Sequence, residues 1–302
     1  MKISIIIPTL NEGKYLPKLL ESIKKQDFRD YEIIVGDAHS TDNTRKIAKK
    51  YGAKIVDGGM PAVGRNNGAK IAKGEYLFFF DADVKLPKHF LKNALNEMNK
   101  RKIELATCSL VPISNLLIDR VLHDMVNLFI KINQFVDPHA AGCCIFVRKD
   151  LFLKVGGFNE SLKLGEDNAF VKKASKIKPF RVLNSVKAML SVRRLRKEGR
   201  LNLAGKYIKV DLHRFFTGEI EHDFVEYQFG DFNKKDFNKK DDKKKLMEIE
   251  RNLIKIDREY QKISKGIRDE RMRNKNAARL RRELDKTLRP LIKAKRKKKE
   301  GK

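Results

Sequence analysis

Glu75-Tyr76-Leu77-Phe78-Phe79-Phe80-Asp81-Ala82-Asp83-Val84 is the stretch on which the fold of this chain turns. Its unbroken, aromatic-rich apolar run has the length of a strand covered on both faces, as in a parallel sheet lying between helices. Two acids end it. At i, i+2 spacing an extended exit points both carboxylates toward one side, and a turn can re-aim one of them. Close carboxylates repel, and a divalent cation relieves that repulsion. Alone, the pair reads equally well as a solvated acidic turn, so its neighbours decide.

Upstream, Ile3 to Ile7 reads as a buried strand that stops at Pro8 and opens into the loop Thr9-Leu10-Asn11-Glu12-Gly13. Leu16, Leu19, Leu20 and Ile23 then make one apolar helical stripe. Tyr31 to Val35 is a second strand, followed by Gly36 to Thr44, a turn rich in N-cap residues, and a helix to about Tyr51. Ala53 to Val56 is a short third strand, and Gly64-Arg65-Asn66-Asn67-Gly68-Ala69 leads into a further helix. Strands and helices alternating at such intervals predict an α/β domain with a mostly parallel central sheet flanked by helices. Ligands of such sheets gather at the carboxyl ends of the strands. Asn11, Glu12, Asp37, Asp81 and Asp83 all fall there. The dinucleotide fingerprint and the phosphate-binding Walker loop are both absent, which disfavours an NAD enzyme and a P-loop ATPase.

Composition sets the outer bounds. The 302 residues are 41% hydrophobic, enough for a substantial core. The 68 Lys and Arg against 39 Asp and Glu predict attraction to polyanions, whether nucleic acid, anionic lipid or a phosphorylated substrate. Cys108, Cys143 and Cys144 make an odd set with two adjacent, which argues against a disulfide framework and for a reducing cytoplasm. Neither a signal peptide nor a membrane-spanning helix is expected.

Beyond Val84 come a helix around Phe90 to Met98 and a strand over Ile103 to Cys108. Residues 113 to 135 suit an amphipathic helix or helix pair, packed in a core or lying on a membrane surface. Ala141 to Arg148 is a further strand, Lys149 to Val155 a short helix, and Gly165-Glu166-Asp167 opens another. The basic run Val192 to Arg200, with Arg193 and Arg194, precedes a helix over 201–216. It is solvated surface unless a phosphate lies near.

Composition changes near Asn233, so residues 1–232 are expected to form one domain and 233–302 a basic helical tail. The tail holds 28 Lys and Arg against 12 acids. A short near-repeat around Phe237 serves as its hinge. Leu246, Ile249, Leu253, Ile256, Tyr260, Ile263 and Ile267 then recur at steps of three and four, a heptad seam. The tail is a coiled coil, a hairpin bending near Gly266 or one long helix, with a disordered end from about 293.

Ile5-Ile6-Ile7-Pro8-Thr9-Leu10-Asn11-Glu12, Asp37 with Ser40 to Thr44, Gly64 to Ala69, Asp81-Ala82-Asp83, Gly156-Gly157-Phe158 and Glu166-Asp167 occur in an order that resembles family 2 glycosyltransferases of the GT-A fold. The likeness covers residues 3 to about 200 and leaves out the tail. It implies a UDP- or GDP-sugar across the strand ends, with Pro8, Thr9, Glu12 and Asp37 near base and ribose, and Arg65 near base or phosphates. Asp81 and Asp83 would hold Mg²⁺ or Mn²⁺ on the diphosphate, with Arg193 and Arg194 as further anion ligands. Asp167, or failing it Glu166, would be the general base of an inverting displacement onto a glycan hydroxyl or a polyprenyl-phosphate or other lipid-linked acceptor. Ala38 and His39 depart from the usual acids of the second loop. His39 reads as a turn residue in an unusual backbone conformation rather than a metal ligand, and His139 and His213 read as structural. The competing function is a nucleic-acid binder or scaffold acting through the tail, with a vestigial sugar site. It lacks interleaved aromatics, so nucleic acid is the less favoured partner. Further roles for the tail are homodimerisation and adhesion to the inner face of the cell membrane.

Overall fold

The computed structural model describes residues 1–162, 164–200, 247, 250–259, 275–280 and 282–284. In chain order the elements are β1 (Ile3–Thr9), α1 (Leu16–Lys24), β2 (Tyr31–Asp37), α2 (Thr44–Lys50), β3 (Lys54–Asp57), α3 (Pro61–Ile71), β4 (Tyr76–Phe80), β5 (Val84–Lys85), α4 (Phe90–Lys100) and β6 (Leu105–Pro112). Then come α5 (Leu117–Asn133), β7 (Cys144–Arg148), α6 (Lys149–Val155), α7 (Glu166–Ser175), β8 (Phe180–Leu190) and α8 (Arg193–Glu198). The strands form one sheet in the order β3-β2-β1-β4-β7-β6-β8-β5.

Only half of that sheet is parallel. β1 pairs in parallel with β2 and β4, and β2 with β3. Beyond β4 the direction reverses, with β7 antiparallel to β4 and β6, and β5 antiparallel to β8. The sheet is therefore mixed, a refinement of the mostly parallel sheet expected from the first four strands. β5 and β8 were not expected. β8 carries Phe180, Val182, Val186 and Ala188 buried, but exposed Asn184 and Ser185 interrupt its alternation.

β4 lies at the centre, every residue buried. Phe78 and Phe80 pack with Phe146 on one face, their rings 4.5 and 5.8 Å away. Phe79 faces the other side, against Phe152 and Phe158 at 5.6 and 5.1 Å. Period-two alternation thus puts aromatic mass on both faces, as the apolar run predicts.

The chain divides into two compact units, and the division does not follow the compositional boundary at 232. The first unit's described residues are 1–111, 138–162 and 164–191; the second's are 112–137, 192–200 and the C-terminal helical segments. The reason is apolar packing within the second unit. Ile118, Val121, Leu122, Met125, Leu128 and Ile132 of α5 form one core cluster with Leu253, Ile256, Ala277, Leu280 and Leu284. Lys131 reaches Asp257 at 2.8 Å, and Arg279 pairs with Glu259. Residues 113–135 therefore serve a core, around the single helix α5. A fully buried aliphatic side chain contributes on the order of 1.5–3 kcal/mol, so a cut at 232 would strip α5 of its covering. Of the seam, Leu253 and Ile256 are described; Leu246, Ile249, Tyr260, Ile263 and Ile267 lie outside the described residues. So do the helix expected over 201–216 with His213, the hinge near 237, Gly266 and the end beyond 293. No helix among the described residues is long and apolar enough to cross a membrane.

Candidate active site

The site lies in the first unit, where the parallel strands end. Register places Pro8 beside Gly36 and Thr9 beside Asp37, so β1 and β2 finish level. Their two loops are stitched together. Asn11 N donates to Ser40 Oγ at 2.8 Å, Thr41 N to Asn11 Oδ1 at 2.9 Å, Glu12 N to Thr44 Oγ1 at 2.8 Å and Gly13 N to Asp42 Oδ2 at 2.9 Å. Burial alone would push the Asp42 carboxyl up, yet hydrogen bonds from the Thr44 hydroxyl, Thr44 N and Gly13 N hold it below the ordinary carboxylate range. His39 takes a left-handed backbone at φ 56°, as expected for a turn residue.

Asp37 is fully buried. Its carboxylate accepts from Ser40 N at 3.1 Å, and Thr9 Oγ1 and Arg45 Nη1 approach to 3.4 Å. It therefore organises the second loop from beneath, whereas Glu12 is half-buried on the first loop.

α3 comes unusually close to the sheet. A Cβ on Gly36 would fall 2.5 Å from the Gly64 carbonyl oxygen, and one on Gly68 2.5 Å from Ile6 Cγ2. Backbone thus lies on backbone, and the next residue, Arg65, turns inward beneath the strand ends. Its Nη1 donates to Glu166 Oε1 at 2.6 Å, and its Nη2 to Asp81 Oδ1 at 3.0 Å and to the Gly142 carbonyl at 3.2 Å. The Phe158 ring lies 5.4 Å from the guanidinium carbon. Burial would lower the Arg65 pKa, but the carboxylates of Asp81, Glu166 and Asp167 hold it above its ordinary value. At 3% exposed, Arg65 ties the acid that follows β4 to the one that opens α7. The adjacent Asn66 seats the glycine-rich loop, accepting from Phe158 N and donating to its carbonyl, both at 2.9 Å.

After β4 the chain turns instead of running on extended. Val84 N donates to the Asp81 carbonyl at 3.2 Å, and Asp81 N to the Cys143 carbonyl at 3.3 Å. Ala82 is buried while Asp81 and Asp83 on either side are partly exposed. Burial first, then the charges of Asp81, Asp83 and Asp167, push the Cys143 thiol up, so all three carboxylates act on one neighbourhood. Asp167 lies in the first turn of α7, its Oδ1 accepting from Asn168 N at 2.8 Å. Arg193 and Arg194 open α8, in the second unit.

The residues fit a hard divalent cation. Three carboxylates, of Asp81, Glu166 and Asp167, act on one arginine, so a diphosphate would meet net negative charge unless a cation joined it. Mg²⁺ and Mn²⁺ sites of this kind use one or two carboxylates and complete their shell with substrate phosphates and water. Asp81 keeps 36% of its side chain exposed for such a role. The described residues contain no group of three or more His, Cys, Asp or Glu side chains that could hold a metal ion by themselves.

A mixed sheet between helices, with acids at the ends of its parallel strands and a second acid pair at the start of α7, is the architecture of a GT-A glycosyltransferase. The chain belongs to glycosyl transferase family 2, whose model matches residues 4–156, just over half its length. It is 40% identical over 104 residues to a poly(ribitol-phosphate) beta-N-acetylglucosaminyltransferase, TarS, of Staphylococcus aureus, a match covering 31% of this chain and 18% of the relative. The chain thus spans about a fifth of the length of that relative. The crystal structure of S. aureus TarS 1-349 in complex with UDP-GlcNAc shares the fold at TM-score 0.53 and 19% identity, over 98% of this chain and 92% of that one. So does the mannosyltransferase PcManGT from Pyrobaculum calidifontis, in complex with GDP-Man and Mn²⁺, at TM-score 0.54 and 20% identity over 69% and 64%.

Proposed function

We propose that this glycosyltransferase moves a sugar, with inversion, from a UDP- or GDP-sugar to a hydroxyl of a phosphate-bearing acceptor, either a polyol-phosphate chain or a lipid-linked glycan. The observation that carries the reading is the acid cluster gathered on Arg65 at the strand ends. A polyanionic acceptor suits a chain with 68 basic against 39 acidic residues, and it matches the acceptor named for the S. aureus relative.

Pro8, Thr9 and Glu12 would line the end of the cleft that takes base and ribose, with Asp37 setting its shape through Ser40. Asp81 and Asp83 would hold Mg²⁺ or Mn²⁺, which when bound supplies positive charge against the departing diphosphate. Asp167 is the general base. The acceptor oxygen bonds to the anomeric carbon as its proton passes to the Asp167 carboxylate, and the carbon to phosphate-oxygen bond breaks with its electron pair leaving on the diphosphate. Glu166, spent on Arg65, is the weaker candidate. The Arg193 and Arg194 guanidinium groups remain candidate anion ligands.

A panel of UDP- and GDP-sugars, assayed with and without Mn²⁺ for thermal stabilisation and nucleotide release, tests the reading. One donor class should stabilise the protein, and Asp83→Ala should abolish the cation-dependent part. Unchanged cation-dependent binding in Asp83→Ala removes the metal assignment. Binding of no sugar nucleotide, together with steeply salt-dependent affinity for RNA, would favour the scaffold alternative.

A further inference from the structure

Gly142 precedes β7 in the run Ala140-Ala141-Gly142-Cys143. A Cβ built on it would fall 2.4 Å from Oδ2 of Asp167, 3.0 Å from its Cγ and 3.2 Å from its Cβ. Cβ atoms essentially never come within 3.0 Å of another heavy atom. The backbone offers no other reason for glycine, because Gly142 is not among the glycines at positive φ. The volume that a side chain would take there is the volume that the Asp167 carboxylate fills.

The backbone is fixed on both sides of the contact, so it is the Asp167 side chain that would have to move. On one side the Gly142 carbonyl accepts from buried Arg65 at 3.2 Å, and the next carbonyl, of Cys143, accepts from Asp81 N at 3.3 Å. On the other, Asn168 N donates to Asp167 Oδ1 at 2.8 Å, while Asn168 Oδ1 accepts from Ala140 N at 3.1 Å. The loop before β7 and the first turn of α7 are thus held to each other on both sides of the contact.

We propose that Gly142 is a positioning residue for Asp167: its bare Cα is the surface against which the carboxylate is set, and Arg65 holds that surface in place. The inference rests on reading Asp167 as the general base. An added methyl would rotate the carboxylate away from the acceptor oxygen while leaving the donor cleft untouched, and a displacement near 1 Å costs on the order of 10²-fold in rate.

The test compares Gly142→Ala, Asp167→Ala and the double variant. The readouts are nucleotide release from the sugar nucleotide selected above, with water as acceptor, and the thermal midpoint. Gly142→Ala should lower kcat about 10²-fold, with donor KM and thermal midpoint little changed. The double variant should be no slower than Asp167→Ala alone, because two residues acting through one group are not additive. If Gly142→Ala folds poorly, adding Asp167→Ala should restore the midpoint, since it removes the oxygen that the methyl meets. A Gly142→Ala protein with unchanged kcat, or fully additive losses in the double variant, overturns the inference and leaves the base assignment standing. Retained activity in Asp167→Ala overturns the base assignment itself.

Discussion

Among the described residues two arginines are almost wholly buried against carboxylates, and they are built differently. In the second unit Arg200 meets Asp119 as a fork, Nε to Oδ1 at 2.7 Å and Nη2 to Oδ2 at 3.2 Å, and Ser114 Oγ donates to Oδ2 at 2.6 Å. Both partners are sealed, at 2% and 0% exposed. In the first unit Arg65 divides its two terminal nitrogens between Asp81 and Glu166, which are 36% and 12% exposed, and its buried Nε has no hydrogen-bond partner. The first arrangement fastens 192–200 to α5. The second holds acids from two elements at the edge of a cleft, still open to what enters it. A saturated pair serves the fold, whereas a shared cation with partly exposed acids serves chemistry.

Breaking the shared pair should have the largest effect. Arg65→Met leaves Glu166 buried without its cation, so nucleotide release should fall by at least about 10²-fold and stability by about 3 kcal/mol, the low end for a broken buried pair because Asp81 is partly exposed. Steady-state kinetics beside urea denaturation measures both. Arg200→Met should cost about 3–5 kcal/mol while the folded fraction keeps its kcat. Adding Asp119→Leu should recover most of that loss, as apolar replacement of a whole buried pair often does. The equivalent double change, Arg65→Met with Glu166→Leu, should recover stability but not turnover. Recovery of turnover there would erase the contrast.

The smallest effect concerns His123, one turn along α5 from Asp119. Its Nδ1–H donates to the Asp119 carbonyl at 2.7 Å. Burial holds the imidazole pKa below its ordinary value, against the raising influence of Asp119 and Asp124. The unfolded chain therefore takes up this proton below about pH 6.5, while the folded chain waits for a lower pH. Within that window stability should fall as pH falls, by at most about 1.4 kcal/mol per unit, and above it this group contributes no slope. Thermal midpoints from pH 7 to 5 should flatten in His123→Gln.

Much of this was legible in the residues. The apolar runs at Ile3, Tyr31, Ala53 and Tyr76 mark the parallel half of the sheet because strands buried on both faces need no polar alternation. The antiparallel half was harder, since β5 has two residues and β8 is broken by Asn184 and Ser185. The strand-end acids announced themselves by position. Arg65 was singled out by the family resemblance, but its burial was not legible, because an arginine among glycines and asparagines looks solvated, and only the close approach at Gly36 and Gly64 turns it inward. Gly142 gave no signal at all within a run of small residues, as its reason is an acid 25 positions away. The tail's heptad spacing was visible, but its described partner is α5, which composition assigned to another domain.

That partnership has a consequence for synthesis. α5 leaves the ribosome before β7, yet the residues that cover Ile118, Val121 and Met125 include Leu253, Ile256, Ala277, Leu280 and Leu284. At about 5–20 residues per second, more than a hundred residues separate the two events, on the order of ten seconds. For that interval the nascent chain carries an uncovered apolar helix, a surface on which a chaperone can act and on which a slowed ribosome would leave the chain exposed to aggregation.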